Sequence, residues 1–404
     1  MSRLILRNGH VFDGISETAF LADVLLDGDR ILEVGPGLDG DVEIDCEGRL
    51  VTPGLFDCHV HFMVDGDFSA KTHLESPFSL AFFQAAERMA RTLAVGITTV
   101  REAGGSDAGV REARDRGLIT GPRMLLSLTM LSQTGGHGDS WEICGAHMPG
   151  MMDAHPGRPH NIVDGPEEMR RKVRELIRAG ADVIKVATTG GVLSSRSDPR
   201  HAQFRPDELD VLVAEATAAG RFVMAHAQGT QGVKNAIAAG IRSIEHGIFL
   251  DDEAIEMMLA AGTYLVPTLI APMGVLEAVE RGVDLPDNVV SKARDVAQIH
   301  RDSVSRAIAA GVRIAMGTDS GVTRHGDNLR ELAEMASLGM SDAQVLRSST
   351  VIAADLLGVT DDFGTLQPGK VADLVIWEGG SLDVRDMRSR ISTVIQDGSI
   401  VVSH

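Results

Sequence analysis

From Gly54 onward the chain alternates short apolar segments with helical ones, and no other feature restricts its fold as strongly. Eight segments read as strands: "GLFDCHVHF", "GITTVREAGG", "RMLLSLTMLS", "DVIKVATTGG", "RFVMAHAQG", "SIEHG", "TYLVPTLI" and "RIAMGTDSG". Stretches such as "EEMRRKVRELIRAGA" and "DELDVLVAEATAAG" fill most of the gaps with amphipathic helical periodicity. Strands separated by helices predict a parallel sheet, and eight of them predict a (β/α)8 TIM barrel over residues 54–362.

The two ends of the chain have a different texture. Residues 1–53 contain "LILRNGHVF", "DVLLDGDRILEVG" and "DVEIDCEGRLVTPG", whose Asn-Gly and Asp-Gly pairs are hairpin signals. Residues 363–404 return to strands and turns, with Pro-Gly, Glu-Gly-Gly and Asp-Gly. The ends are expected to pair into one small β-sandwich domain beside the barrel, and 404 residues suffice for both units. Two connections are unusually long: 133–162 after the third strand and 188–206 after the fourth. Long loops in compact domains tend to be functional, and loops that follow barrel strands lie on the catalytic face.

A formal net charge of −19 argues against nucleic-acid or anionic-membrane partners. Hydrophobic residues make up 44% of the chain, enough to bury a large core. Cys46, Cys58 and Cys144 form neither a paired framework nor a CxxC motif, which fits a reducing compartment. The opening "MSRLILRNGHVFDG" lacks the apolar core of a signal peptide, and no run approaches the roughly 20 apolar residues of a membrane helix. A soluble, cytoplasmic protein is expected.

Chemistry concentrates at the C-terminal ends of the strands. "FDCHVHFM" places His59 and His61 on one face of the first strand, because side chains alternate. A single core histidine is commonplace, whereas an adjacent pair on a buried face points to metal. Further ionisable residues lie at the same end of other strands: Lys185 on the fourth, His226 on the fifth, His246 on the sixth and Asp319 on the eighth. Each has a plainer reading. Lys185, between Ile184 and Val186, could snorkel or pair with a carboxylate; His226 and His246 could be hydrogen-bonded core groups; Asp319 could cap the following helix. Six polar residues on five strands read together as one site. A buried lysine loses its proton readily, and a neutral amine among cations can take up carbon dioxide as a carbamate that bridges two divalent ions. Lys185 is therefore expected to be N6-carboxylated. Imidazole and oxygen ligands without thiolate suit zinc, with manganese, iron or cobalt as substitutes.

The chain resembles the amidohydrolase superfamily of metal-dependent hydrolases, within it the branch of Xaa-Pro dipeptidases and imidazolonepropionase-like proteins. The resemblance is carried by "DCEGRLVTPGLFDCHVHF", "SQTGGHGD", "IKVATTGG", "AHAQG", "IEHG", "GTDSG", "HGDNLREL" and "GTLQPGKVADLVIW", spread along nearly the whole chain. It implies a binuclear centre on a distorted barrel. His59, His61 and Asp319 would hold one ion, His226 and His246 the other, and carboxylated Lys185 would bridge them. It further implies that His137, within "GGHGD", contacts substrate, and that the protein forms homo-oligomers. Some such dipeptidases carry a tyrosine two residues after the fifth-strand histidine. Here Gln228 stands there, on the same strand face as His226, able to donate a hydrogen bond but not acidic, which weakens a specific dipeptidase reading.

The expected reaction is hydrolysis of an amide bond, peptide-like or N-acyl amino acid, by hydroxide bridging two divalent metals, with Asp319 as general base and then acid. A mononuclear deaminase or cyclic-amide hydrolase, with His59, His61, His226, Asp319 and an unmodified Lys185, is the alternative. A barrel scaffold without catalysis would show ligand gaps, and none appear. Arg196, Arg200, Arg324 and His325 are candidates to receive a substrate carboxylate. The methionines and Trp141 suit an apolar, adaptable pocket.

Overall fold

A computed structural model describes residues 3–67, 70–148 and 150–403. Seven of the expected strands form where the apolar segments fall: Leu55–Val60, Ile97–Glu102, Arg123–Leu126 extended by Met130–Leu131, Val183–Ala187, Phe222–Ala227, Ser243–His246 and Tyr264–Val266. They pair in parallel, in chain order. Nearly every residue in them except Arg123, Leu125 and Phe222 is buried, as expected of strands covered by helices on one side and barrel contents on the other.

The hydrogen-bonded ladder breaks once inside the third strand, leaving sheets of three and five strands. At the break Leu128 adopts left-handed backbone (φ 67°), and Thr129 bonds back to Ser127, so the chain kinks before it meets the next neighbour. The eighth segment also departs from a regular strand. Residues 313–320 reach the neighbouring barrel strands through single parallel bridges, Ile314 to Leu265 and Ser320 to Val60. They nevertheless hydrogen-bond to both sides: Leu265 N–H to Arg313 O at 2.9 Å, and Cys58 N–H to Met316 O at 2.9 Å. The chain is squeezed here, since a Cβ on Gly317 would lie 2.4 Å from the Val266 side chain. At Asp319 it turns left-handed (φ 58°), while bonds to the first strand continue through Asp319 N–H to His59 O at 2.8 Å and His61 N–H to Ser320 O at 2.6 Å.

The covering helices follow from local sequence. Pro166–Arg178 starts on a proline that needs no N–H partner, places Glu167 and Glu168 at the positive end of the dipole, and buries Met169, Val173 and Leu176 at helical spacing. Such burial supplies about 1.5–3 kcal/mol for each large apolar side chain.

Both chain ends contribute to one eight-stranded sheet. Leu4–Val11 pairs antiparallel with Phe20–Asp27 and parallel with Val42–Asp45 and Leu50–Pro53. Leu50–Pro53 in turn pairs antiparallel with Leu374–Trp377, which joins the two termini. Leu6, Val24, Ile31, Leu374, Ile376 and Ile395 belong to a core separate from that of the barrel. Gly54 then leads into the first barrel strand, passing so near Thr98 that a Cβ would lie 2.3 Å from its hydroxyl. Among the described residues, no helix is long and apolar enough to cross a membrane.

Candidate metal centre

His59, His61, Lys185, His226, His246 and Asp319 all line one cavity inside the barrel, together with His137 and Gln228. The six are at most 9% exposed. Asp319 Oδ1 lies 3.5 Å from His59 Nε2 and 3.3 Å from His61 Nε2, and Lys185 Nζ lies 2.8 Å from His59 Nε2. The rings of His226 and His246 stand 4.7 Å apart, and His246 is 5.2 Å from His59.

Each imidazole is anchored at its far nitrogen. His59 Nδ1 meets Glu245 Oε2 at 2.8 Å, His61 Nδ1 meets Gly104 O at 2.6 Å, and His246 Nδ1 meets Thr268 Oγ1 at 2.7 Å. His226 is turned the other way, with Nε2 on Gly190 O at 3.1 Å. A nitrogen bonded to a carboxylate or carbonyl oxygen carries the proton, so the opposite nitrogen keeps a lone pair. His59 and His61 thus present Nε2 to the cavity, and His226 presents Nδ1. Three residues of this rim hold left-handed backbone: His246 (φ 73°), Thr268 (φ 51°) and Asp319 (φ 58°). Such conformations cost about 1–3 kcal/mol apiece and persist only where surrounding packing enforces them.

Burial governs the proton affinities. It pushes His59, His226 and His246 well below the ordinary histidine range, helped by neighbouring Lys185, so these rings are neutral. Burial also brings Lys185 down to about 8, against the pull of Asp319 and Glu245. For Asp319 burial acts to raise the carboxyl, but His59, His61 and Lys185 outweigh it and hold it well below the usual carboxylate range. Neutral imidazoles, an ionised carboxylate and a lysine that readily gives up its proton are what a divalent cation needs from its ligands. Ligand atoms of His59, His61 and Asp319 lie within 4.8 Å of one another, close enough to share one ion. The residues fit a metal site.

The long loops supply the roof. Met151 and Met152 come from the first, Val192 and Leu193 from the second, and all four line the cavity. His137 stacks on His226 with centroids 4.2 Å apart, and burial brings its ring down to about 4. Gly191 passes against the His137 ring, where a Cβ would lie 2.2 Å from Cε1. His137 Nδ1 and Gln228 Oε1 are buried with no hydrogen-bond partner. None of the four candidate carboxylate receptors lines this cavity. Arg196 pairs with Glu142, Arg200 lies 4.9 Å over Phe249, and Arg324 is exposed. His325 hydrogen-bonds His61 O and Val64 O, both at 3.1 Å, and stacks on Phe62, so it braces the loop after the first strand.

Three residues escaped the sequence reading: Glu245, Arg101 and Thr268. Two signals for them existed. Glu245 directly precedes His246 in "IEHG", and "TTVREAGG" puts Arg101 and Glu102 within an apolar strand. Nothing local marks Thr268.

Comparison with known proteins agrees with this architecture. The chain matches the amidohydrolase family over residues 50–402 and belongs to it. It is 36% identical to ochratoxinase of Aspergillus niger over 353 residues, covering 83% of this chain and 71% of that one. It is 29% identical to imidazolonepropionase of Acidiphilium cryptum, over 86% of this chain and 83% of that protein. A crystal structure of a Xaa-Pro dipeptidase with methionine bound in its active site superposes with a TM-score of 0.92 at 33% identity, covering 100% of both chains.

Proposed function

We propose that this chain is a binuclear, zinc-dependent amide hydrolase acting on dipeptides or N-acyl amino acids with apolar side chains. One observation carries the reading: four imidazoles, a carboxylate and a lysine that burial brings down to about 8 converge on one cavity. His59, His61 and Asp319 would hold one ion, His226 and His246 the other, with N6-carboxylated Lys185 between them. Divalent cations, when bound, supply an acidified water and an electrophile for the carbonyl oxygen.

The protein's own residues do the rest. Asp319, ionised and within 3.5 Å of both first-strand histidines, accepts the proton of the attacking water at its carboxylate. It then delivers that proton to the leaving nitrogen. His137 and Gln228 bring unpartnered polar atoms to the cavity and would orient the scissile group. Met130, Met151, Met152, Val192, Leu193 and Ile248 exclude water and receive the apolar part of the substrate.

A second reading has one observation in its favour. Among the described residues, His59, His61 and Asp319 bring ligand atoms within 4.8 Å of one another, enough for the single ion of a mononuclear deaminase or cyclic-amide hydrolase with Lys185 unmodified. Metal analysis separates the two. The binuclear reading expects two zinc ions per chain and a large loss in Lys185→Ala; an unchanged stoichiometry in that variant overturns the bridging role. A parallel screen of dipeptides and N-acyl amino acids tests the reaction itself.

A further inference from the structure

The first-strand histidines differ in what holds them from behind. His61 leans on a backbone carbonyl, whereas His59 leans on a carboxylate reaching across the barrel from the sixth strand. That carboxylate belongs to a closed network of fully buried groups. Arg101 Nη2 donates to Glu245 Oε1 at 2.7 Å, Ser243 Oγ donates to the same oxygen at 2.6 Å, and Arg101 Nη1 reaches Ser243 Oγ at 2.9 Å. Arg101 Nε is fixed on Cys58 O at 2.7 Å, one residue before His59. With Oε1 taken by two donors and a guanidinium alongside, Oε2 is left facing His59 Nδ1. On the other side of the ring Lys185 Nζ stands at donor distance from Nε2. An ionised carboxylate can only accept, so the Glu245 contact selects the Nδ1–H tautomer.

We propose that Glu245 is a positioning residue for the metal centre: it fixes His59 in the Nδ1–H form and so aims the Nε2 lone pair at the cation. Arg101 is its counter-charge. Strand alternation would send Glu245 and His246 to opposite faces, but the left-handed backbone at His246 lets both serve the same site. The inference rests on the metal-site reading above.

The test uses two double variants, because removing Glu245 alone would strand a buried arginine. Arg101→Met with Glu245→Leu deletes the network; Arg101→Met with Glu245→Gln restores an acceptor for Nδ1–H. Zinc affinity and the His59 tautomer, read from histidine nitrogen chemical shifts of the metal-free protein, are both measured. In the leucine variant zinc affinity is expected to fall about 10–100-fold and the ring to lose its Nδ1–H preference, while the glutamine variant recovers most of both. A folded leucine variant with wild-type affinity and an unchanged tautomer overturns the proposal. If that variant does not fold, the His59 tautomer is read in the metal-free wild type, and a ring protonated at Nε2 there overturns the proposal. If the wild type takes up no zinc, the hydrolase reading fails, and the tautomer in the metal-free protein still decides the role of Glu245.

Discussion

The floor and the roof of the cavity are built on opposite terms. On the floor most polar groups have partners: Asp57 alone accepts from Thr318 N and Oγ1, Asn328 Nδ2 and His59 N, and the histidine rings are anchored at their far nitrogens. On the roof, long loops offer methionine and branched aliphatic side chains, and the unpartnered atoms belong to His137 and Gln228. A satisfied, buried network is rigid and fixes reactive groups in place. A thioether-rich wall over unpaired polar atoms is adaptable and waits for a ligand. Chemistry on the proposed reading belongs to the floor, and choice of substrate to the roof.

If that division holds, floor variants should lose turnover and roof variants should lose recognition. Asp319→Asn is expected to cut kcat about 10³-fold while thermal unfolding is little changed, since asparagine tolerates the left-handed backbone there. Near-normal turnover would place the proton transfer elsewhere. Chelation should abolish activity and lower Tm, and added zinc, manganese or cobalt should restore both. Metal loading also has a pH signature. With Lys185 down at about 8, its ammonium form dominates below that pH and its neutral amine above it. Reconstitution with zinc and bicarbonate should therefore be faster at about pH 8.5 than at about pH 6.5, and equal rates would exclude a carbamate on Lys185.

Gly191→Ala tests the seam between the two regions. A methyl group there collides with the His137 ring, so His137 must shift, and a loss of about 10–100-fold in kcat/KM is expected with metal content retained. Gln228→Leu should raise KM about tenfold and leave kcat within a few fold, the mark of a group that binds without reacting. Arg200→Ala, outside the cavity and stacked on Phe249, should change kcat/KM by less than about threefold. A large effect there would extend the roof beyond the loops' apolar tips.

The barrel was legible because strand and helix periodicities are local, and the strands that carry the candidate ligands could be read from "HVH", "IKV", "AHAQ", "IEHG" and "GTDSG". The eighth segment was not legible as an irregular one. Its irregularity comes from Gly317 passing between Val266 and His59, neighbours remote in sequence. The partners of the loop arginines were not legible for a related reason: sequence shows that these residues follow barrel strands, but not that Arg196 pairs with Glu142 or that Arg200 lies over Phe249.

By itself the sequence determined which residues meet at one end of a barrel, since a period of two along strands and crossover helices between them leave little choice. Tertiary structure decided how each ring is turned and anchored. Glu245 reaches His59 from 186 positions away, His226 faces inward through Nδ1 rather than Nε2, and a left-handed backbone at His246 overrides strand alternation. Those outcomes depend on distant partners and on backbone strain that only the assembled core can sustain.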